Sequence, residues 1–192
     1  MSIYTKKGDG GLTMFFGCGL ISKDDPRIEA FGALDELNSV IGLTLCYIEE
    51  EKLRETLIKI QNDLFQVGAD LGGSLLQDQN VSRISKEQIE ELEQMIDVLH
   101  EKLGMPTTFI FPGGTKQSAF LHLCRVITRR TERSLVTVSS IISLNPELLK
   151  YINRLSDLLY VLARDANKEV NVKEQQPIYK YYKQNGRNSL SE

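Results

Sequence analysis

"LRETLIKIQNDLFQVGADL", residues 53–71, decides the fold class. Leu53, Leu57, Ile60, Leu64, Val67 and Leu71 recur at strict intervals of three and four, which places them along one face of an α-helix. Such a stripe suits antiparallel packing against other helices in a bundle. Strand-like alternation is hard to find anywhere in the chain, so a nearly all-α protein is expected.

Working outward, the helix before it opens at "DDPRIEAFG", where Asp25 serves as N-cap and Pro26 suits the first helical position. Its core stripe runs Ile28, Phe31, Leu34, Leu37, Ile41, Leu45, Ile48, ending near Glu50. Downstream, polar "QDQNVSR" leads to a capping box, "SKEQ" at Ser85 to Gln88, and a third stripe of Ile89, Leu92, Ile96, Leu99 and Leu103, closed by Gly104 and Pro106. A fourth helix starts after "FPGGT" and runs to about Ser140, its core side expected at Phe120, Leu123, Ile127 and Leu135. "NPE" at Asn145 to Glu147 opens a fifth, through about Val170, with a stripe of Leu148, Ile152, Leu155, Leu159 and Leu162. No repeat or domain boundary interrupts residues 1–192, and the tail from Asn171 is polar with tyrosines at Tyr179, Tyr181 and Tyr182.

The 192 residues suffice for one domain with a real core. With 23 Lys+Arg against 26 Asp+Glu, the net charge of −3 argues against a general nucleic-acid-binding surface, so any basic site is local. Cys18, Cys46 and Cys124 are odd in number and far apart, as free thiols in a reducing compartment would be. No apolar run reaches the length of a membrane span and the start lacks a signal-peptide core, so a cytoplasmic protein is expected.

Four regions carry candidate chemistry. "TKKGDGGLT", residues 5–13, combines lysines with glycines that expose backbone N–H groups; it fits a phosphate-cradling loop, and equally a flexible leader. It lacks the order of a P-loop. "HLCRVITRRTER" sets Arg125, Arg129 and Arg133 on one face of the fourth helix, with Arg130 beside them and His122 and Arg125 on a flank. Like charges so spaced cost roughly 0.2–0.5 kcal/mol per pair. A guanidinium stripe is either a solvated basic face or a holder of phosphates or carboxylates. Asp35 stands among small and polar residues, Gly32, Asn38, Ser39 and Gly42, where an internal carboxylate would need an arginine partner. Asn153, Asp157, Tyr160 and Arg164 form a polar stripe on the fifth helix, facing either water or a ligand. Metal and nucleophile chemistry find no support: His100 and His122 are the only histidines and lie in no ligand spacing.

Taken in order, "IYTKKGDGGLT", "SKDDPRIEAFGALDELNSVIG", "FIFPGGT", "RVITRRTER" and "YINRLSDLLYVLAR" resemble the trimeric ATP:cob(I)alamin adenosyltransferases of the propanediol-utilisation type, across nearly the whole domain. The resemblance implies a ferritin-like five-helix up-down bundle, residues 24–170, that assembles as a homotrimer with active sites between subunits. It implies that residues 1–23 form a nucleotide-binding loop in which Thr5, Lys6, Lys7, Gly8, Thr13, Met14 and Lys23 hold ATP. Arg129, Arg130, Glu132, Arg133 and Asn153 join them, with Mg2+ accompanying the phosphates. Asp35 would pair with Arg125 across the interface, and Phe109 would rest against the corrin face of base-off cobalamin. The implied reaction moves the 5′-deoxyadenosyl group of ATP to cob(I)alamin, releasing triphosphate. A cobalamin reductase or an adenosylcobalamin-dependent enzyme is an implied partner.

Lys7, Gly10 and Leu12 depart from the family's usual Thr-Lys-Thr-Gly-Asp-Lys-Gly-Thr-Thr loop. A non-catalytic corrinoid carrier or sensor on the same bundle is therefore the alternative. A structural bundle whose arginines bind acidic protein or RNA is a third.

Overall fold

The computed structural model describes residues 3–15, 19–76, 80–104, 106 and 108–178. Gly17 and Cys18, and the tyrosines Tyr179, Tyr181 and Tyr182, lie outside them. Five helices follow a short hairpin: β1 (Leu12–Phe15), β2 (Gly19–Ser22), α1 (Pro26–Leu45), α2 (Glu51–Leu76), α3 (Lys86–Leu103), α4 (Lys116–Ser139) and α5 (Pro146–Lys168). The five-helix bundle expected from the apolar stripes is what forms. Among the described residues, no helix is long and apolar enough to cross a membrane.

Local chemistry sets the helix starts. Asp25 accepts the Arg27 backbone N–H at 2.9 Å and its guanidinium at 2.7 and 2.8 Å, which hold the Asp25 carboxyl down to about 2. Gln88 Oε1 accepts the Ser85 N–H at 3.1 Å, Thr115 accepts from Ser118 at 3.0 Å, and Asn145 from Glu147 at 3.1 Å. Each such cap is worth about 1 kcal/mol.

Helix α1 stops at Leu45 rather than near Glu50. Glu50 belongs to the next helix, its carboxylate accepting the N–H groups of Lys52 at 3.1 Å and Leu53 at 2.9 Å. Arg54 takes up the orphan carbonyls of Leu45 at 2.8 Å and Ile48 at 3.0 Å, so Ile48 stays buried without being helical.

Helix α4 packs between α1 and α5, while α3 lies on α5 and α2 on α1. Its buried face differs from the expected one: Leu123 is exposed and Phe120 half-buried, stacked on Tyr47 at 4.8 Å, whereas His122 is buried. Ile127 and Leu135 are buried as expected, and the rest of the core side runs through Ser118, Leu121, Cys124, Thr128, Thr131 and Val138. Hydroxyls make this possible. Thr128 donates to its own helix at Cys124 O (2.8 Å), and Thr131 donates to both Ile127 O and Ala33 O at 3.1 Å. Small side chains whose hydroxyls are satisfied let α4 approach α1 closely here.

Two buried carboxylates on α2 pin the far side. Asp63 accepts from Tyr151 Oη and Gln88 Nε2, both at 2.9 Å; Asp70 accepts from Ile84 N (2.9 Å) and Asn145 Nδ2 (2.6 Å). Burial, then the Asp63 charge, pushes the Tyr151 phenol well above its ordinary value.

The hairpin was not expected. Its antiparallel register pairs Leu12 with Ser22 and Phe15 with Gly19, and buried Phe15 sets its ring edge on Phe31 at 5.3 Å. Four residues per strand give too little alternation to stand out in a sequence dominated by helical periods.

Candidate active site

The hairpin organises the N-terminal loop. Lys6 sits at φ 59°, and Gly11, at φ 80°, accepts from Lys23 N at 2.9 Å, so the loop closes on the start of α1. The Lys23 ammonium comes to 3.2 Å from where a Cβ on Gly8 would stand, so the lysine end lies close against the loop backbone at Gly8. Thr5, Lys6, Lys7, Gly8, Thr13, Met14 and Lys23 are thus neighbours on one loop and its hairpin, all exposed or half-exposed.

The arginine stripe of α4 divides. Arg129 and Arg133 are exposed, Arg133 donating only to Arg129 O at 2.9 Å. Arg130 is tied to Glu36 of α1 by an ion pair. Glu132 accepts from Asn153 Nδ2 at 2.9 Å, which joins two of the expected site residues across α4 and α5. No hydrogen bond or ion pair among the described residues links this stripe to the N-terminal loop within the chain.

Arg125 is partly buried with no partner for its Nε, and burial, then Arg129, pulls its pKa below the ordinary value. One turn earlier, His122 is 4% exposed and neither ring nitrogen has a partner. Burial, then Arg125, holds its imidazole down to about 4, so it is neutral at pH 7. Tyr160 of α5 closes the other side, its ring 6.1 Å from that of His122.

Asp35 overturns one expectation. It is exposed rather than internal and pairs with no cation among the described residues. It lies in a mostly apolar groove of about 410 Å³ between α1 and α2, lined also by Phe31, Leu34, Phe65, Gly68 and Gly72. Asn38 shares this groove, its Oδ1 buried and unpartnered. Arg125 and Asp35 do not meet within one chain.

The polar stripe of α5 also divides. Asp157 is exposed beside Arg154 at 3.5 Å, while Arg164 is buried and pairs with Glu174. Periodicity alone missed this, as it missed Asn167, which bridges Gly113 O and Thr115 N, both at 2.9 Å. A Cβ on Gly114 would stand 2.2 Å from Asn167 Oδ1, and its φ is +112°, so glycine is required there. The "PGG" ahead of α4 was the available signal. Phe109, on the same loop, is 79% exposed. Cys124 is buried and its thiol pushed up to about 11, which leaves it inert. No three His, Cys, Asp or Glu converge on a metal position among the described residues.

Comparison with known proteins gives these features a context. Residues 3–166 match the cobalamin adenosyltransferase family. The chain is 42% identical over 165 residues to corrinoid adenosyltransferase PduO of Citrobacter freundii, covering 85% of this chain and 49% of that protein. It thus spans about half the length of this relative and of its Salmonella typhimurium counterpart. Against the corrinoid adenosyltransferase of Bacillus subtilis it is 38% identical over 171 residues, 87% of each. A variant of the PduO-type ATP:corrinoid adenosyltransferase from Lactobacillus reuteri, complexed with cobalamin and ATP, superimposes with a TM-score of 0.85 at 36% identity, covering 92% and 96% of the two chains. A second variant of that enzyme, complexed with ATP, gives 0.84. This chain belongs to the cobalamin adenosyltransferase family.

Proposed function

We propose that this chain transfers the 5′-deoxyadenosyl group of ATP to the cobalt of base-off cob(I)alamin, giving adenosylcobalamin and triphosphate. The observation that carries the reading is a divided site: among the described residues, a guanidinium stripe with an unpartnered Arg125 Nε and an exposed Arg129 on one side, and an apolar groove with Asp35 paired to no cation on the other. Each side lacks what the other has. A second copy, its Asp35 reaching Arg125, would complete it, and this supports a homotrimer in which every interface repeats the same head-to-tail contact.

The division of labour follows from charge. Thr5, Lys6, Lys7, Gly8, Thr13, Met14 and Lys23 grip the polyphosphate, Arg129, Arg130, Glu132, Arg133 and Asn153 help to orient the nucleotide, and the cations Lys6, Lys23, Arg129 and Arg133 neutralise the leaving triphosphate. Arg130 must exchange its Glu36 partner to take part. Cobalt itself is the nucleophile: its bond to the 5′ carbon forms as the carbon–oxygen bond to triphosphate breaks, so no side-chain nucleophile is required. Phe109, exposed at the end of the loop before α4, covers the corrin face from which the lower base has left. Mg2+ enters this reading with the nucleotide phosphates, and no step is assigned to it.

Residues 1–192 form one domain in this reading: a nucleotide loop (1–23), the bundle (24–170) and a tail (171–192). A cytoplasmic location fits it, as does a partnership with a cobalamin reductase or an adenosylcobalamin-dependent enzyme. The departures at Lys7, Gly10 and Leu12 favour one rival, a corrinoid carrier or sensor without catalysis. An anaerobic assay with ATP, magnesium and chemically reduced cobalamin decides. Formation of adenosylcobalamin and triphosphate is expected; bound but unreacted cobalamin would establish the rival instead.

A further inference from the structure

After α5 the chain reverses at Asn171, in the left-handed region at φ 56°, and Val172 N donates back to Asn167 O at 2.9 Å. The segment that follows runs to the loop between α3 and α4. There Phe111 N donates to Gln175 O at 2.8 Å. Neighbouring Glu174 accepts from Arg164 Nε through both carboxylate oxygens, at 3.1 and 3.3 Å. Arg164, 8% exposed, also gives Nη1 to Gly104 O at 2.8 Å and lies over the Tyr160 ring at 5.9 Å. One guanidinium thus joins the end of α3, the body of α5 and the C-terminal segment.

The loop from Phe109 to Thr115 consequently has two anchors. Asn167 holds it at Gly113 and Thr115, and the C-terminal segment holds it at Phe111. Phe109 lies beyond the second anchor, with 79% of its surface exposed, and so depends on the Phe111 contact for its direction. The Phe111–Gln175 bond is a single hydrogen bond between two surface segments. What fixes its acceptor is the partly desolvated charge pair one residue away, the stronger kind of contact.

We propose that the Arg164–Glu174 ion pair is a positioning device for the Phe109 loop: it straps the segment after α5 in place so that Gln175 holds Phe111, and through it aims Phe109. The effect on the loop stands on these contacts alone; the effect on the corrinoid rests on the adenosyltransferase reading above. Neither residue is assigned contact with substrate.

The test uses Glu174→Gln in the full chain, which keeps size and removes charge, with Glu174→Asp as the charge-retaining control. Glu174 is partly exposed, so the variant should fold, and its thermal midpoint verifies this. In the apo protein, amide hydrogen exchange at Phe111 should accelerate about tenfold in Glu174→Gln and less in Glu174→Asp. Unchanged Phe111 exchange overturns the strap. With corrinoid, the variant should show a KM for cob(I)alamin raised about tenfold, an unchanged KM for ATP, and a smaller base-off fraction of bound cobalamin in its optical spectrum. Faster Phe111 exchange with both corrinoid readouts unchanged would overturn the aiming of Phe109. Absence of product from wild type as well would count against the activity, while the exchange result would still decide the strap.

Discussion

The two sides of the bundle treat buried polar groups in opposite ways. On the α2 side, Asp63 and Asp70 are buried and well paired within the chain, Asp63 by Tyr151, Gln88 and Lys59 and Asp70 by Asn145, the Ile84 amide and Arg83. Around α4, among the described residues, buried His122 has two unpartnered nitrogens and half-buried Arg125 an unpartnered Nε, while exposed Asp35 stands in the α1–α2 groove without a cation. An unpaired buried polar group costs about 1–3 kcal/mol, so a chain that satisfies one set so thoroughly has a reason to leave the other open. The first set is scaffold. The second is completed by what binds.

That contrast can be broken from either side. Asp70→Ala strands the Ile84 N–H and takes one of the two acceptors of Asn145 Nδ2, and should destabilise the fold by about 2–4 kcal/mol in urea unfolding. The molecules that remain folded should keep their turnover number. A loss below about 1 kcal/mol would mean that the network is not what holds α2, α3 and α5 together. Arg129→Ala should do the reverse, lowering kcat/KM by about 100-fold while leaving the thermal midpoint almost unmoved. Wild-type kinetics would remove Arg129 from the site.

A smaller effect belongs to His122. Folded, its imidazole titrates at about 4 because burial and then Arg125 disfavour its charge; unfolded, it takes up a proton near 6.5. Stability from this group is therefore fully present above pH 6.5 and is lost as pH falls toward 4. From pH 7.5 to pH 5 the loss should be about 1–2 kcal/mol. His122→Gln should flatten the stability–pH curve by that amount, and an unchanged slope would show that the imidazole is not buried neutral.

The same contrast explains what could be read in advance. Helix starts were legible because caps are local: Asp25–Pro26, Ser85–Gln88 and Asn145–Pro146 each act within one turn. The α2 stripe was legible because its core positions are large and apolar. The buried face of α4 was not, since Ser118, Thr128 and Thr131 hide their hydroxyls against carbonyl groups and count as polar in any periodic reading. The small neighbours of Asp35 suggest an internal position, yet it stands exposed at a groove whose small lining residues, Gly68, Ala69 and Gly72, come from α2. The Arg164–Glu174 pair spans ten residues between a helix and an irregular tail, a contact that no period announces. Residue roles at the site came from resemblance rather than from spacing.

The most direct measurement mixes two damaged chains. Asp35→Ala and Arg125→Ala each remove one half of the proposed contact, and each alone should lose about tenfold in adenosyl transfer or more. Unfolded and refolded together, they form interfaces in which an intact Asp35 of one copy meets an intact Arg125 of another. Activity of the mixture well above the mean of the separate variants is the expected result. A mixture that merely averages them would contradict a site completed between copies of the chain.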